Sequence, residues 1–488
     1  MITVSNKTHW LIEHASAQNS TSALRSSEEK FHYNELNDEC IRTAEHFSKL
    51  GIKENANVGL LFGHKIDFWI ITNALWLLGA VPVPLNSRNT PQEINEQIVM
   101  ADIKFLIVDI NFQEYATPGK YFPSLGRENI FLFDRKDVSK NSAFSTLNSE
   151  FEKNHSALIL FTSGSSGKSK AVVHTFMSLY QSVKQIDSLF SLSREDVWLA
   201  SLPLYHIGGF MILVRALLTG SQAAFPESLK HEEIAAGINR YSPTHISIVP
   251  TTLKRMMEEN FLPNKNLKYV YLGGGPSDKQ LCLNACNAGW PIVKVYGSSE
   301  TCSMVAALKP SKLTLMPESS GKPLGENQIR ISNDPMSSGE ILVHSTALFK
   351  EYFNDKETTD AKLNNGWFHT GDYGRIDEEG YLFVHSRRED MIITGGENVS
   401  AQEVEEAIKS VIGIRDAFVF GTADATWGQI VCAAVTGNLN DEEEIRRSLK
   451  EKLAGYKIPK QFYFLESIPK NEMGKVKRAE LFSILKLN

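Results

Sequence analysis

The sequence predicts an α/β protein: a large N-terminal region of layered helices and largely parallel strands, then a hinge and a smaller C-terminal α+β domain. Three observations predict it. Helical patterns alternate with short β-branched runs: "NELNDECIRTAEHFSKL" precedes "NVGLLF", "PQEINEQIVMA" precedes "KFLIVD", and "HEEIAAGINRY" precedes "HISIVP". Such alternation argues for α/β layers. A Ser/Gly-rich loop, "FTSGSSGKSKAVVH" from Phe161, follows the apolar "ALIL", as suits a strand-to-helix junction where backbone donors can meet an anion. After about residue 386 the character changes. "SRREDMIITGGEN" carries five charges and a Gly pair, and an acidic helical segment begins with Ser400 and Glu403 in capping-box register. A chain of 488 residues is too long for one compact core, so two or three units are expected.

Taken in order, the N-terminal "MITVSNKTHW" lacks the basic segment and apolar run of a secretory signal. The longest apolar stretch, "FWIITNALWLLGAVPVPL" from Phe68, contains Asn73 and is broken by Gly79, Pro82 and Pro84. It reads as a buried helix running into a strand, not a membrane span. Cys40, Cys282, Cys286, Cys302 and Cys432 are too irregularly spaced for a disulfide framework, which points to a reducing, cytoplasmic address. Cys282 and Cys286 lie one helical turn apart without two further ligands nearby, so both are expected as buried thiols. A formal net charge of -6 gives no general attraction for nucleic acid or an anionic membrane. Self-association into a homo-oligomer is left open.

The Ser/Gly loop is not a Walker-A P-loop. Counting back from Gly167-Lys168-Ser169 puts Thr162 where that motif needs its first Gly. Small residues still let backbone donors approach an anion closely, and hydroxyls add donors without bulk. Read alone, the loop could also be a solvated linker, the lesser of the two readings.

Further segments alter that balance: "SLPLYHIGG" from Ser201, "YLGGGP" from Tyr271, "VYGSSET" from Val295, "GWFHTGD" from Gly366, "SRREDMIITGGENVSAQEVEE" from Ser386 and "IPKNEMGKVKR" from Ile468. In this order and spacing they resemble the signature motifs of the adenylate-forming superfamily, which includes acyl-CoA synthetases, peptide-synthetase adenylation domains and firefly luciferase. The resemblance covers nearly the whole chain. It implies a multi-layer N-terminal domain of mixed and parallel sheets binding AMP and the acyl group (1–386), a hinge (387–390), and a small mobile α+β domain (391–488).

The resemblance also implies roles. Thr162, Ser163, Gly164, Ser165, Ser166 and Gly167, with Lys170 at the loop's end, would cradle the ATP phosphates. Ser169 and Ala171 stand where the family usually has Pro and Gly. Lys475 would be the catalytic lysine bridging carboxylate and α-phosphate, though a Lys in a charged tail is ordinarily solvated surface. Glu300 would hold Mg²⁺, a hard cation suited to oxygen ligands, and Thr301 would bond a phosphate. Tyr296 would stack on adenine beside Gly297. Asp372 would accept from both ribose hydroxyls, with Arg387 as second ribose contact and Glu389 at the hinge. His206 would gate the acyl pocket; Gly273, Gly274 and Gly275 would line it. Gly395 and Gly396 would form the pantetheine tunnel.

Electrostatic preorganisation of this kind serves a reaction that joins two anions, a carboxylate and ATP. Because no carrier domain follows residue 488, coenzyme A is the expected acceptor. Within the superfamily, "PLYHIGG", "LGGGP" and "TWGQIVCAAV" most resemble the o-succinylbenzoate:CoA ligases of menaquinone biosynthesis, although Ser298 and Ser299 depart from the "YGMTET" expected there. A ligase for a medium-chain fatty or aryl acid, and a catalytically inactive nucleotide-binding scaffold, stay open as alternatives.

Overall fold

The computed structural model describes residues 9–17, 21–117, 121–139, 152–163, 169–275, 279–332, 339–386, 391–469 and 476–487. The chain divides into two compact units. The first comprises Met1–Ser87, Gln97–Phe161 and Ala171–Ser386; the second comprises Arg88–Glu96, Thr162–Lys170 and Arg387–Asn488.

In the first unit, local sequence accounts for the elements. Helix Tyr33–Lys49 opens with the Glu35 carboxylate accepting from the His32 N–H at 2.8 Å, and a reciprocal cap of this kind satisfies otherwise orphaned donors. Helix Ile66–Leu77 is apolar on all sides and buried except at Asp67. Two of its polar members bond back within the helix: Thr72 Oγ1 donates to the Phe68 carbonyl at 2.7 Å and Asn73 Nδ2 to that of Trp69 at 2.9 Å. It runs into strand Val81–Pro84 at the edge of a four-stranded parallel sheet, the position where prolines are tolerated. Trp10, Trp69, Trp76, Phe176 and Phe210 pack edge to face around this helix, with ring centroids 5.4 to 6.1 Å apart.

Nearer the candidate site stand, in chain order, β1 (Ser169–Thr175), α1 (Phe176–Phe190), β2 (Val197–Leu199), α2 (Ile207–Thr219), β3 (His245–Ile248), β4 (Tyr269–Leu272), β5 (Ile292–Ser298), β6 (Ser303–Leu308) and β7 (Trp367–Ile376). The central sheet has nine strands in the order Lys322–Pro323, β6, β5, β4, β3, β2, Gln222–Ala224, Ser22–Arg25, Lys30–His32. From β5 to Ser22–Arg25 every neighbouring pair is parallel; β6 and Lys30–His32 join antiparallel. Parallel strands send their carboxyl ends to one edge, where binding loops gather in α/β folds. β1 belongs to a three-stranded sheet and β7 to a separate five-stranded one. The helix Lys279–Asn287 buries Cys282 but leaves Cys286 half-exposed at its margin, so only the first thiol is fully enclosed.

The second unit contains β8 (Met391–Thr394), β9 (Glu397–Ser400), α3 (Ala401–Lys409), β10 (Ile414–Asp424), β11 (Gly428–Gly437), α4 (Glu442–Lys450) and β12 (Gln461–Phe464). Its sheet runs β9, β8, β11, β10, with β12 beside β11. Ser400 caps α3 as its register predicts, its Oγ accepting from the Glu403 N–H at 3.3 Å. The Glu403 carboxylate instead accepts from Lys457 at 2.7 Å, and Lys457 also donates to Glu93 at 2.6 Å. Burial pushes the Lys457 ammonium down, but the two carboxylates outweigh it and hold the group above its ordinary pKa. Among the described residues no helix is long and apolar enough to cross a membrane.

Candidate active site

Three loops leave the carboxyl ends of β2, β4 and β5. After β2 the chain turns through Pro203 to His206, which sits at the N-cap of α2, half-buried and edge to face with Tyr205 at 4.7 Å. After β4 come Gly273, Gly274 and Gly275, with Gly273 tight against Val295 of β5. After β5 the chain makes the turn that carries Glu300 and Thr301, then returns as β6.

That turn is held from several sides. A Cβ on Gly297 would lie 1.8 Å from the Ser303 carbonyl oxygen, so no other residue fits there without moving backbone. Thr301 is buried, and its Oγ1 accepts from the Ser298 N–H at 2.7 Å and donates toward the Ser303 carbonyl at 2.8 Å. Cys302 and Ser303 both hold positive φ, +53° and +85°, a conformation that costs a side-chain-bearing residue roughly 1–2 kcal/mol. The Glu300 carbonyl accepts from the Phe349 N–H at 2.8 Å, and its carboxylate Oε1 accepts from the Tyr352 hydroxyl at 2.9 Å. Burial and the nearby Glu300 charge push the Tyr352 phenol well above the usual range. It therefore stays protonated and donating.

Glu300 Oε2 carries no hydrogen bond among the described residues. A half-buried carboxylate with one oxygen fixed by a donor and the other open fits a hard divalent cation such as Mg²⁺. The cluster His231, Glu232 and Glu259 brings three potential metal ligands together on the surface. There the two imidazole nitrogens face different carboxylates, at 3.1 and 2.7 Å, so these groups already engage one another.

Tyr296 and Asp372 meet although 76 positions separate them: the tyrosine hydroxyl donates to Asp372 Oδ2 at 2.8 Å. Asp372 is buried on β7, and its own N–H donates to Thr370 Oγ1 at 3.0 Å. A ring and a carboxylate joined in this way offer a flat apolar face beside an anionic acceptor, a pairing suited to a nucleoside.

Of the remaining predicted residues, Thr162, Ser163 and Lys170 lie in the second unit, at the end of one strand and the start of the next. Gly164, Ser165, Ser166, Gly167, Arg387, Glu389 and Lys475 fall outside the described residues. Gly395 and Gly396 follow β8 with φ of +59° and +86°. A Cβ on Gly395 would meet the Trp427 ring at 2.8 Å, and Lys460 Nζ lies 3.9 Å from that ring's centroid.

Sequence reasoning missed three residues. Arg215 of α2 is fully buried, yet no carboxylate faces it among the described residues; Nη2 donates to Ser303 Oγ at 2.9 Å and Nε has no partner. Burial lowers its pKa to about 10. A lone charge inside "FMILVRALLTG" was the available signal. Tyr352 and His174, whose ring reaches the Ser299 carbonyl at 2.8 Å, gave none.

Comparison with known proteins places this arrangement. Residues 11–353 match the family model described as AMP-binding enzyme, and residues 403–475 match that of the AMP-binding enzyme C-terminal domain. A 2-succinylbenzoate--CoA ligase of Bacillus mycoides is 33% identical over 97% of this chain and 98% of its own. The o-succinylbenzoate CoA synthetase of Bacillus subtilis is 30% identical in three solved complexes. A double mutant bound with a product analogue, OSB-NCoA, superposes with a TM-score of 0.91, covering 98% of both chains. The complex with the acyl-adenylate intermediate OSB-AMP, covering 98% of both chains, and that with ATP and a magnesium ion, covering 97% of this chain and 99% of its own, each give 0.74. With its motifs, its sheets and identity along nearly its full length in agreement, this chain belongs to the AMP-binding, adenylate-forming enzyme family.

Proposed function

We propose that the chain is an ATP-dependent acid:CoA ligase that activates 2-succinylbenzoate through an acyl-adenylate. A carboxylate resists attack by a thiol because its charge is delocalised and oxide leaves poorly. Attack of the carboxylate on the α-phosphorus of ATP expels pyrophosphate and leaves an acyl group whose leaving group is AMP. Coenzyme A then displaces AMP to give the thioester. Magnesium, held by Glu300, would supply positive charge to offset that of the phosphates.

The chain's own residues divide the remaining work. Glu300, oriented by Tyr352, is the carboxylate for the metal. Tyr296 and Asp372 hold adenine and ribose, with Arg387 as the second ribose contact. The loop Thr162–Lys170 receives the phosphates, and Lys475 brings positive charge to the meeting of two anions. His206 and Gly273–Gly275 border the acyl pocket, and Gly395 and Gly396 line the path of the pantetheine arm. Five free thiols without a disulfide suit a cytoplasmic enzyme acting on small molecules.

The observation that carries the choice of acid is Arg215. A fully buried guanidinium with an unpartnered Nε and no carboxylate beside it among the described residues is costly. Joined through Ser303 to the turn that bears Glu300, it would receive the second carboxylate of a diacid. AMP release measured with CoA across a panel of acids tests the reading. Strong activity with octanoate or benzoate but none with 2-succinylbenzoate would reject it. In Arg215→Met, turnover of the diacid should fall about a hundredfold while monoacids are spared, since an unpaired charge left by one partner's loss costs about 2–5 kcal/mol.

A further inference from the structure

The turn that bears Glu300 keeps two consecutive non-glycine residues at positive φ, and such strain persists only where surrounding contacts over-determine it. Two of those contacts come from one face of a single segment. His174, Ser178 and Ser182 are spaced four residues apart at the end of β1 and along α1. Ser182 Oγ donates to the Cys302 carbonyl at 2.7 Å, and His174 Nε2 lies 2.8 Å from the Ser299 carbonyl. A carbonyl only accepts, so Nε2 must carry the proton. Nδ1 is then the bare nitrogen, 3.3 Å from Ser178 Oγ. The ring is completely buried, which pushes its pKa down to about 4 and keeps it neutral. The two ends of Ser299–Cys302 are thus pinned to the segment into which the Ser/Gly loop runs.

We infer that His174 is a positioning residue for the first half-reaction: its Nε2–H fixes the Ser299 carbonyl and so sets the direction in which the next residue, Glu300, presents its carboxylate to metal-bound ATP. This rests on the proposed function only in assigning the turn to ATP and magnesium. The chemistry makes a specific demand. A glutamine at 174 carries an amide donor at the reach of Nε2, whereas an asparagine carries it at the reach of Nδ1 and falls short of Ser299.

The test compares His174→Gln with His174→Asn, two polar replacements of similar burial cost. ATP affinity is measured by calorimetry in EDTA and in magnesium. Pyrophosphate exchange, and thioester formation from supplied acyl-adenylate, are measured with the acid that the wild type uses. His174→Asn should lose about ten- to a hundredfold of the affinity that magnesium adds, the usual effect of removing a support behind a ligand. It should lose exchange to match, through the KM for magnesium-ATP, with thioester formation nearly unchanged. His174→Gln should restore the wild-type values to within about threefold. Equal behaviour of the two variants, or equal loss in both half-reactions, overturns the inference. The calorimetry needs no acid, so it decides this point even if the choice of acid fails.

Discussion

Tyr352 gives the Glu300 carboxylate its direction, and Phe in its place would leave the ring packed while removing the donor. Tyr352→Phe should therefore raise the KM for magnesium-ATP about tenfold with little change in thermal midpoint, as loss of an outer-shell hydrogen bond does elsewhere. Initial rates across a magnesium titration check it; an unchanged KM would separate Tyr352 from the metal. The same residue marks how far single positions were legible. Glu300, Tyr296 and Asp372 stood out because each sits in a short motif whose residue types suit its chemistry. Tyr352 and His174 did not, since a tyrosine or histidine among apolar neighbours looks like core, and each finds its partner only after the chain returns, 52 and 125 positions away. Thr301 was legible as part of the motif, but its engagement inside the turn was not, because a hydroxyl's partner depends on backbone geometry that no spacing rule encodes.

At the level of elements, helices announced themselves and turns did not. "HEEIAAGINRY" became the helix His231–Tyr241 end to end, with Ile234, Ala235 and Ile238 buried on one stripe, because a 3.6-residue period and a buried face are the same fact. The reversal between β5 and β6 offered no such signal, for its positive φ values fall on Cys302 and Ser303, where a glycine would have advertised them. Helix α1 allows a quantitative check. Thr175 Oγ1 accepts from the Ser178 N–H at 3.1 Å, and Ser178 Oγ accepts from the Thr175 N–H at 3.0 Å. Thr175→Ala should cost about 1 kcal/mol, read as a lowered denaturation midpoint at unchanged steepness; a cost near zero would mean that water replaces the cap. The grouping of Arg88–Glu96 and Thr162–Lys170 with the second unit was invisible in the sequence. Local pattern reports a segment's shape, and Lys457 reaches Glu93 across 364 positions.

Across the whole molecule the histidines are unevenly spread: all 13 belong to the first unit, none to the second. Burial lowers His9 to about 3 and His14, His64, His174 and His245 to about 4, from the ordinary 6.5. Unfolding lets each take up a proton below 6.5, so their contribution is whole above that pH and is lost as pH falls from 6.5 toward 4. One pH unit below 6.5 the loss is on the order of 1 kcal/mol per histidine. Amide exchange should therefore quicken in the first unit between pH 6.5 and 5 after correction for intrinsic rates, while the second unit, lacking these groups, should hold. Equal loosening of both would contradict it. The layered α/β architecture itself was legible, because alternating periodicities fix which layers form; the order of strands was not, because pairing partners lie far apart. That separation reaches into biosynthesis. Ser22–Arg25, among the first strands to leave the ribosome, docks beside Gln222–Ala224, so the nascent sheet cannot close at that edge until some two hundred more residues have been translated. Until then its neighbour Lys30–His32 is the only flank it can find among the described strands, and a chaperone that shields this early hairpin would be protecting the longest wait of any described strand pair.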